Sequence, residues 1–279
     1  MAASGILTLL SDFGLSDVYV GVMKGAIAQV NPCLTVIDLT HQVPPQGIAT
    51  ARFALMSAYP YFPSGTVHTA IVDPGVGGSR RAIAVALGRD LDNPSGFLVA
   101  PDNGLVSGVL SQNPVLAVVE LTSRRYWRTA APSSTFHGRD IFATVGAHLA
   151  SGVALAELGE EIDPLSIVQL PLPNCQVEQT GDCTKITGFI QAIDHFGNLI
   201  TNIPGSAVIS KRWVARINHA ELTTGHTYSG CPFGFPLALV GSHGFVEIAV
   251  NGGNAQTRLL LDWGEAVEVV VGASGHEFG

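Results

Sequence analysis

Aspartate stands repeatedly where an apolar run gives way to a polar turn. Asp12 follows the run at residues 6–10, Asp73 follows 66–72, and Asp102-Asn103 follows 96–100. Another polar stretch, Thr135-Phe136-His137-Gly138-Arg139-Asp140, precedes a helical pattern. In open parallel α/β sheets ligands bind outside the carboxyl ends of the strands, so these residues are expected along one edge of one sheet. Carboxylates and imidazoles gathered there can bind a divalent ion. Asp12, His41, Asp73, His137 and Asp140 form such a candidate set, which would make the protein a metal-dependent hydrolase. Singly, each has a plainer reading. Asp12, Asp17 and Asp140 suit helix N-termini, where a carboxylate caps free N–H groups and meets the positive end of the dipole. Lone histidines such as His148 and His219, and equally His41 and His68, are more often packed or surface groups than reactive ones. The functional reading rests on several residues converging on one edge.

The segment VDPGVGGSR (residues 72–80) invites a dinucleotide-binding reading, but Arg80 stands where GxGxxG needs its third glycine, and no helical pattern follows. It reads either as a glycine-rich connection or as backbone that passes close to a ligand, flanked by one acid, Asp73, and one guanidinium, Arg80. No P-loop, GxSxG or HExxH motif is present. In the second half, IDHFGN (193–198), SHG (242–244) and NGGN (251–254) fall in strand connections, where Asn and Gly are ordinary turn residues.

The elements that must position these residues change character along the chain. Apolar runs at 6–10, 34–39, 66–72, 82–87, 96–100 and 115–121 alternate with helical patterns at 18–30, 48–59 and 140–150. Strands buried on both faces appear as continuous apolar runs. This order predicts an α/β fold, a mostly parallel sheet with helices on both faces, over residues 1–164. Residues 165–183 are Pro-rich, polar and helix-poor, and read as a linker. Residues 184–279 carry short β-rich runs between Gly, Asn and Pro turns, the pattern of a smaller C-terminal antiparallel β-barrel domain.

Composition narrows the function. Of 279 residues 47% are hydrophobic and only 13% charged, so the chain reads as core-rich rather than disordered. A net charge of −8 with only three lysines leaves no clustered cations for a nucleic-acid face. Mean hydropathy is high at +0.34, yet every apolar run is broken well short of the ~20 residues a membrane span needs. The first residues lack a basic segment ahead of their short apolar run, so no signal peptide is expected and the cytoplasm is the expected location. The four cysteines form no CxxC pair and no zinc spacing, which predicts free buried thiols rather than two disulfides.

Six segments then occur in one order across nearly the whole chain: SDFGLSD (11–17), VDPGVGGSRR (72–81), APDNGLVS (100–107), TFHGRDIF (135–142), IDHFGNLITNI (193–203) and EIAVNGGNA (247–255). Together they resemble the S-adenosyl-L-methionine hydroxide adenosyltransferases, relatives of the fluorinase and chlorinase enzymes. The resemblance implies attack of water on S-adenosyl-L-methionine to give adenosine and L-methionine, with no cofactor and no metal. It also implies a homotrimer whose site lies between the N-terminal domain of one subunit and the C-terminal domain of the next. Carried over by motif, Asp73, Arg80 and His137 match the water-activating set. Asp12 matches the group on the ribose hydroxyls, and Asp17, Asp194 and Ser242 match positions near the methionine part. Asn198, Asn251 and Gly252 match adenine contacts, Tyr228 an aromatic stacking on adenine, and Phe136 an apolar wall. Ala143-Thr144 stand where relatives commonly have proline, and His243 where many have a smaller or different polar residue. Halogenating relatives replace the acid and the histidine with groups that do not ionise at neutral pH, so retention of Asp73 and His137 favours water. Whether His137 or Asp73 is the base stays open at this point. A module that merely holds adenosine or S-adenosyl-L-methionine would need no water-activating set.

Overall fold

Leu7, Leu9 and Leu10 are fully buried because their strand lies inside a sheet covered on both faces. The computed structural model describes residues 4–90, 92–171, 174–217 and 220–272. They form two compact units, Met1–Leu170 and Pro171–Gly279. In the first, the elements run β1 (Ile6–Ser11), α1 (Tyr19–Val30), β2 (Thr35–Thr40), α2 (Ile48–Ala58), β3 (Thr66–Ile71), β4 (Ala82–Leu87), β5 (Gly96–Pro101), α3 (Ser107–Leu110), β6 (Val115–Glu120), α4 (Ala143–Ala150) and β7 (Glu160–Glu161). In the second, they run β8 (Gln176–Thr180), β9 (Cys183–Ile193), β10 (Leu199–Pro204), β11 (Trp213–Ile217), β12 (Ala220–Thr224), β13 (Pro236–Val240), β14 (Phe245–Val250), α5 (Ala255–Leu259) and β15 (Ala266–Val271).

The first sheet has the order β2-β1-β3-β5-β4-β6-β7. The strands β2, β1, β3 and β5 are parallel, as expected. Side chains alternate across a strand. Leu7 and Leu9 share one core with Met23 and Ile27 of α1 and Val145 and Ala147 of α4, while α2, which packs with α3, covers the other face of β1 and β2.

β4 departs from the parallel pattern: it runs antiparallel between β5 and β6. Its first residue, Ala82, pairs with the last of β5, Pro101. Arg80 and Arg81 therefore stand at the same sheet edge as Asp12, Asp73 and Asp102. The glycine-rich connection from β3 to β4 crosses the end of β5 to get there. Its Gly77 has φ +75°, and a Cβ there would lie 2.2 Å from the Ser134 carbonyl oxygen. The close approach expected of this backbone is thus made to another loop, the one leading to His137.

The second unit is a closed barrel of seven strands, β10-β14-β13-β12-β11-β15-β9, sealed by the β9–β10 pairing, with β8 added outside β9. Ile186, Ile190, Leu199, Val246, Ile248, Val267 and Val269 fill it. All pairs are antiparallel except β12–β13. A two-residue hairpin cannot join parallel neighbours, so residues 225–235 form a crossing connection, and that connection carries Tyr228.

Two local expectations need correcting. Residues 165–183, read as linker alone, also hold β8, whose five residues are all exposed. With no buried face, its sequence carries no apolar alternation to read. The helix expected at 140–150 is an α-helix only from Ala143; Gly138–Phe142 is a π-helical turn. The cysteines are free as expected, but only Cys231 is buried and Cys33 is exposed. Among the described residues, no helix is long and apolar enough to cross a membrane.

Phe142 ends the π turn with no exposed surface, and the Arg80 guanidinium carbon lies 5.2 Å from its ring centroid. Replacing it with Ala is expected to destabilise the protein by ~3–5 kcal/mol, read as a lower denaturant midpoint.

Candidate active site

Asp12, Phe13, Tyr19, Gln46, Asp73, Pro74, Val76, Phe136 and His137 are among the residues lining a cleft of about 410 Å³ in the first unit. Three elements deliver its polar groups. Asp12 comes directly after β1 and Asp73 two residues after β3. His137 stands at the head of the π turn, an insertion type often found at functional sites. That turn packs closely: a Cβ on Gly138 would lie 3.2 Å from the Phe13 ring and 3.3 Å from the Met23 sulfur.

Arg80 joins the other two groups. Its Nε donates to both oxygens of Asp73, at 2.9 and 3.0 Å, and its Nη2 donates to Asp73 Oδ2 as well. Nη2 also lies 2.7 Å from His137 Nδ1. A guanidinium only donates, so Nδ1 must accept. The neutral ring then carries its proton on Nε2. Burial, and next the Arg80 charge, push the His137 pKa below its usual value, against the pull of Asp73 and Asp140. His137 is therefore a neutral imidazole at neutral pH.

Three aromatic rings wall the cleft. Phe13 and Phe136 are 5.7 Å apart between centroids, and Tyr19 and Phe136 5.3 Å, both near perpendicular. Asp12 turns one oxygen to the Gln46 N–H at 2.8 Å. Gln46, with φ +63°, was not singled out from sequence, and neither were Phe13 and Tyr19. Asp17 is exposed and is not among the residues lining this cleft.

Other candidates at this edge are structural. Asp102 is clamped by Arg81 and accepts the Val168 N–H at 2.8 Å. Asp140 is fully buried and bound by Arg128, Arg139 and the Ser133 N–H. Burial acts to raise its pKa, but these donors overcome it and hold the carboxyl far below the usual range. Asp140 stands in the first turn of the π helix, as expected of a first-turn acid, but neither it nor Asp12 nor Asp17 caps a helix; α1 has Val18 at its N-cap, with no side-chain bond. Nor do the five groups proposed as metal ligands converge. His41 faces Ser11 and Asp38, and among the described residues no three His, Cys, Asp or Glu side chains form a metal-sized cluster. His68 is a packed histidine, bonded to Thr8 and pushed down to about 4 by burial. His148 packs on the Tyr126 ring. His219 lies outside the described residues.

In the second unit, Asp194 closes its own turn by accepting the N–H groups of Phe196 and Asn198 and the Asn198 side chain, each at 2.9 Å. The crossing connection places Tyr228 so that its hydroxyl donates to Glu247 at 3.0 Å. His243 Nε2 lies 3.0 Å from the other oxygen of Glu247. Burial, Glu247 and Asp194 push the Tyr228 pKa up to about 12. Glu247, 2% exposed, was quoted only within a motif; a charged residue inside an apolar strand was the signal available. Asn251 donates to the Cys231 carbonyl at 2.7 Å. Gly252 has φ +68°, and a Cβ there would lie 2.0 Å from the Phe233 ring. Ser242 is exposed.

Residues 7–159 match the model for the SAM hydroxide adenosyltransferase N-terminal domain, and residues 188–268 the model for its C-terminal domain. A protein of Salinispora arenicola named (R)-S-adenosyl-L-methionine hydrolase is 39% identical over 98% of this chain and 100% of its own. One of the same name from Thermus thermophilus is 38% identical, covering 94% of this chain and 98% of its own. A protein of Actinopolyspora mzabensis named fluorinase is 28% identical over 95% of this chain and 96% of its own. A crystal structure of an uncharacterized conserved protein from Thermotoga maritima superposes with TM-score 0.85 at 35% identity, covering 94% of this chain and 99% of the other. Since both domain models match in order and the relatives extend over nearly the whole length, the chain belongs to the SAM hydroxide adenosyltransferase family.

Proposed function

We propose that the protein hydrolyses S-adenosyl-L-methionine to adenosine and L-methionine, with water attacking C5′. The observation that carries this reading is the joining of Asp73, Arg80 and His137 at one cleft. Simple binding of a nucleoside needs no such set, and the relatives' names point the same way.

The chemistry explains the residue types. Free hydroxide at neutral pH costs about 12 kcal/mol, because the pKa of water, about 15.7, lies ~9 units above neutral. The reaction avoids that species when the proton leaves late. As the water oxygen bonds to C5′, the C5′–S bond breaks and its electron pair passes to sulfur, giving the neutral thioether of methionine. The water O–H becomes acidic only as its oxygen shares a lone pair, so a carboxylate suffices to take the proton. Asp73 is that acceptor. Arg80 already occupies the Nδ1 lone pair of His137, so the neutral imidazole is left as a donor that orients the water. A sulfonium leaves without a Lewis acid, so the reaction asks for no metal. Water exclusion by the Phe13, Tyr19 and Phe136 rings strengthens these fixed charges.

On this reading Asp12 holds the ribose hydroxyls, and Phe136 walls the reacting carbon. Asp17, Asp194 and Ser242 serve the methionine part, while Asn198, Tyr228, Asn251 and Gly252 serve the adenine. The second-unit residues come from a neighbouring subunit of a homotrimer.

Two outcomes test this account. Incubation with S-adenosyl-L-methionine in heavy-oxygen water should release adenosine labelled at the 5′ hydroxyl, with no loss on adding a chelator; unlabelled or absent adenosine removes the proposal. Asp73→Asn should lower kcat by ~10²–10⁴-fold with substrate affinity little changed. His137→Gln, which keeps an N–H donor, should lose about ten-fold. The reverse order would make His137 the base.

The titration of His137 gives a separate check. Replacing Arg80 by Met removes the cation that lowers its pKa and leaves the Asp73 charge that raises it. The His137 ring signal, followed by NMR against pH, should titrate at higher pH than in the wild type. In the wild type the imidazole should stay neutral below its ordinary range near 6.5, so activity should persist to a lower pH than an unperturbed histidine allows.

A further inference from the structure

Ser11, His41 and Asp38 are linked in the manner of a hydrolase triad. Ser11 Oγ lies 2.7 Å from His41 Nδ1. His41 Nε2 lies 3.1 Å from Asp38 Oδ1, an electrostatic contact rather than a straight hydrogen bond. Lys24 donates to the other oxygen of Asp38 at 2.7 Å. Yet Ser11 is fully buried and His41 is 2% exposed. A hydroxyl without access to substrate is no nucleophile, so the chain of groups has another use.

Its direction shows what that use is. The Asp38 carboxylate favours the ring proton on Nε2, which leaves Nδ1 to accept the Ser11 hydroxyl. The Ser11 oxygen in turn accepts the Phe13 N–H at 3.4 Å. The His41 carbonyl accepts the Gly14 N–H at 2.8 Å. One histidine thus grips the loop on both sides of Asp12, through Ser11 before it and Phe13 and Gly14 after it. The ladder is adapted to this. Leu9 pairs with Asp38 but Leu10 with Thr40, so β2 bulges by one residue, Leu39, and brings His41 beside Ser11. Burial acts to raise the Asp38 carboxyl, but the bond from Lys24 and the contact with His41 hold it below its usual value, so the outer end of the relay stays charged.

We propose that His41 is a positioning residue: through Ser11, its side chain fixes the Asp12 carboxylate for the ribose hydroxyls. The proposal rests on the ribose role given to Asp12 above. Its experiment is a double-mutant cycle read as the Kd for adenosine by calorimetry and the KM for S-adenosyl-L-methionine. His41→Leu should raise both by about ten-fold, with kcat within about three-fold. His41→Asn, which keeps a polar partner for Ser11, should recover most of the loss. In an Asp12→Asn background His41→Leu should add less than about two-fold, because the group it positions is already gone. Equal effects in both backgrounds, or no recovery by Asn, overturn the proposal. Should His41→Leu fail to fold, Ser11→Ala breaks the same link and is read in the same cycle. A wild type that binds adenosine but releases none would refute the hydrolysis reading, while the Kd arm would still decide the role of His41.

Discussion

A single guanidinium, that of Arg80, ties Asp73 and His137 together at the cleft. It donates from Nε and Nη2, one edge of the group, to Asp73 and, from the same Nη2, to His137 Nδ1. A planar donor of fixed geometry sets both partners at once, which a lysine ammonium does not. It also fixes the tautomer of the imidazole and helps keep it neutral. Three features of the fold near this edge make that placement. The reversal of β4 brings Arg80 to the carboxyl ends of the parallel strands, Gly77 lets its loop touch the backbone of Ser134, and the π turn sets His137 opposite.

Much of this was legible in sequence, for definable reasons. Apolar runs at β1, β3, β4 and β5 survive as signals because those strands are buried on both faces, and residues at their ends fall on one edge whatever the detailed order. The direction of β4 was not legible, since periodicity carries no sign. The π turn was hidden for a similar cause: GRDIF and the α-helix after it share one apolar pattern. β8 left no trace because none of its side chains is buried. Of the three acids read as helix N-caps or first-turn groups, Asp140 does stand in the first turn of the π helix, but its carboxylate is taken by Arg128, Arg139 and the Ser133 N–H, and that of Asp12 by the Gln46 N–H, so neither caps a helix end.

The barrel teaches a complementary lesson. Tyr228 lies 19 residues before Glu247 on the crossing connection, whereas His243 is four residues before it, in the turn that leads into the same strand. Tyr228 reaches Glu247 because β12 and β13 are parallel and are joined by a crossing connection rather than a hairpin, while His243 reaches it through the turn between β13 and β14. A buried glutamate needs partners to offset its desolvation, and it finds two, one on each oxygen. The presence of His243 is therefore tied to Glu247 as directly as to any ligand.

Charge bookkeeping then decides which nucleophile suits the proposed reaction. With His137 neutral, Arg80 cancels Asp73, and Asp12 leaves the cleft with one net negative charge. Such a site attracts a sulfonium cation and opposes an anionic nucleophile, hydroxide and halide alike. Neutral water carries no such penalty. It gains nucleophilic force only when a sulfonium is already in place to accept electrons, so activation is confined to the occupied site. In the proposed reaction the proton that leaves the water neutralises Asp73, and the sulfur loses its charge in the same event. On that scheme the Coulomb attraction between site and sulfonium is gone once the products form, and methionine release follows from the same chemistry that makes it.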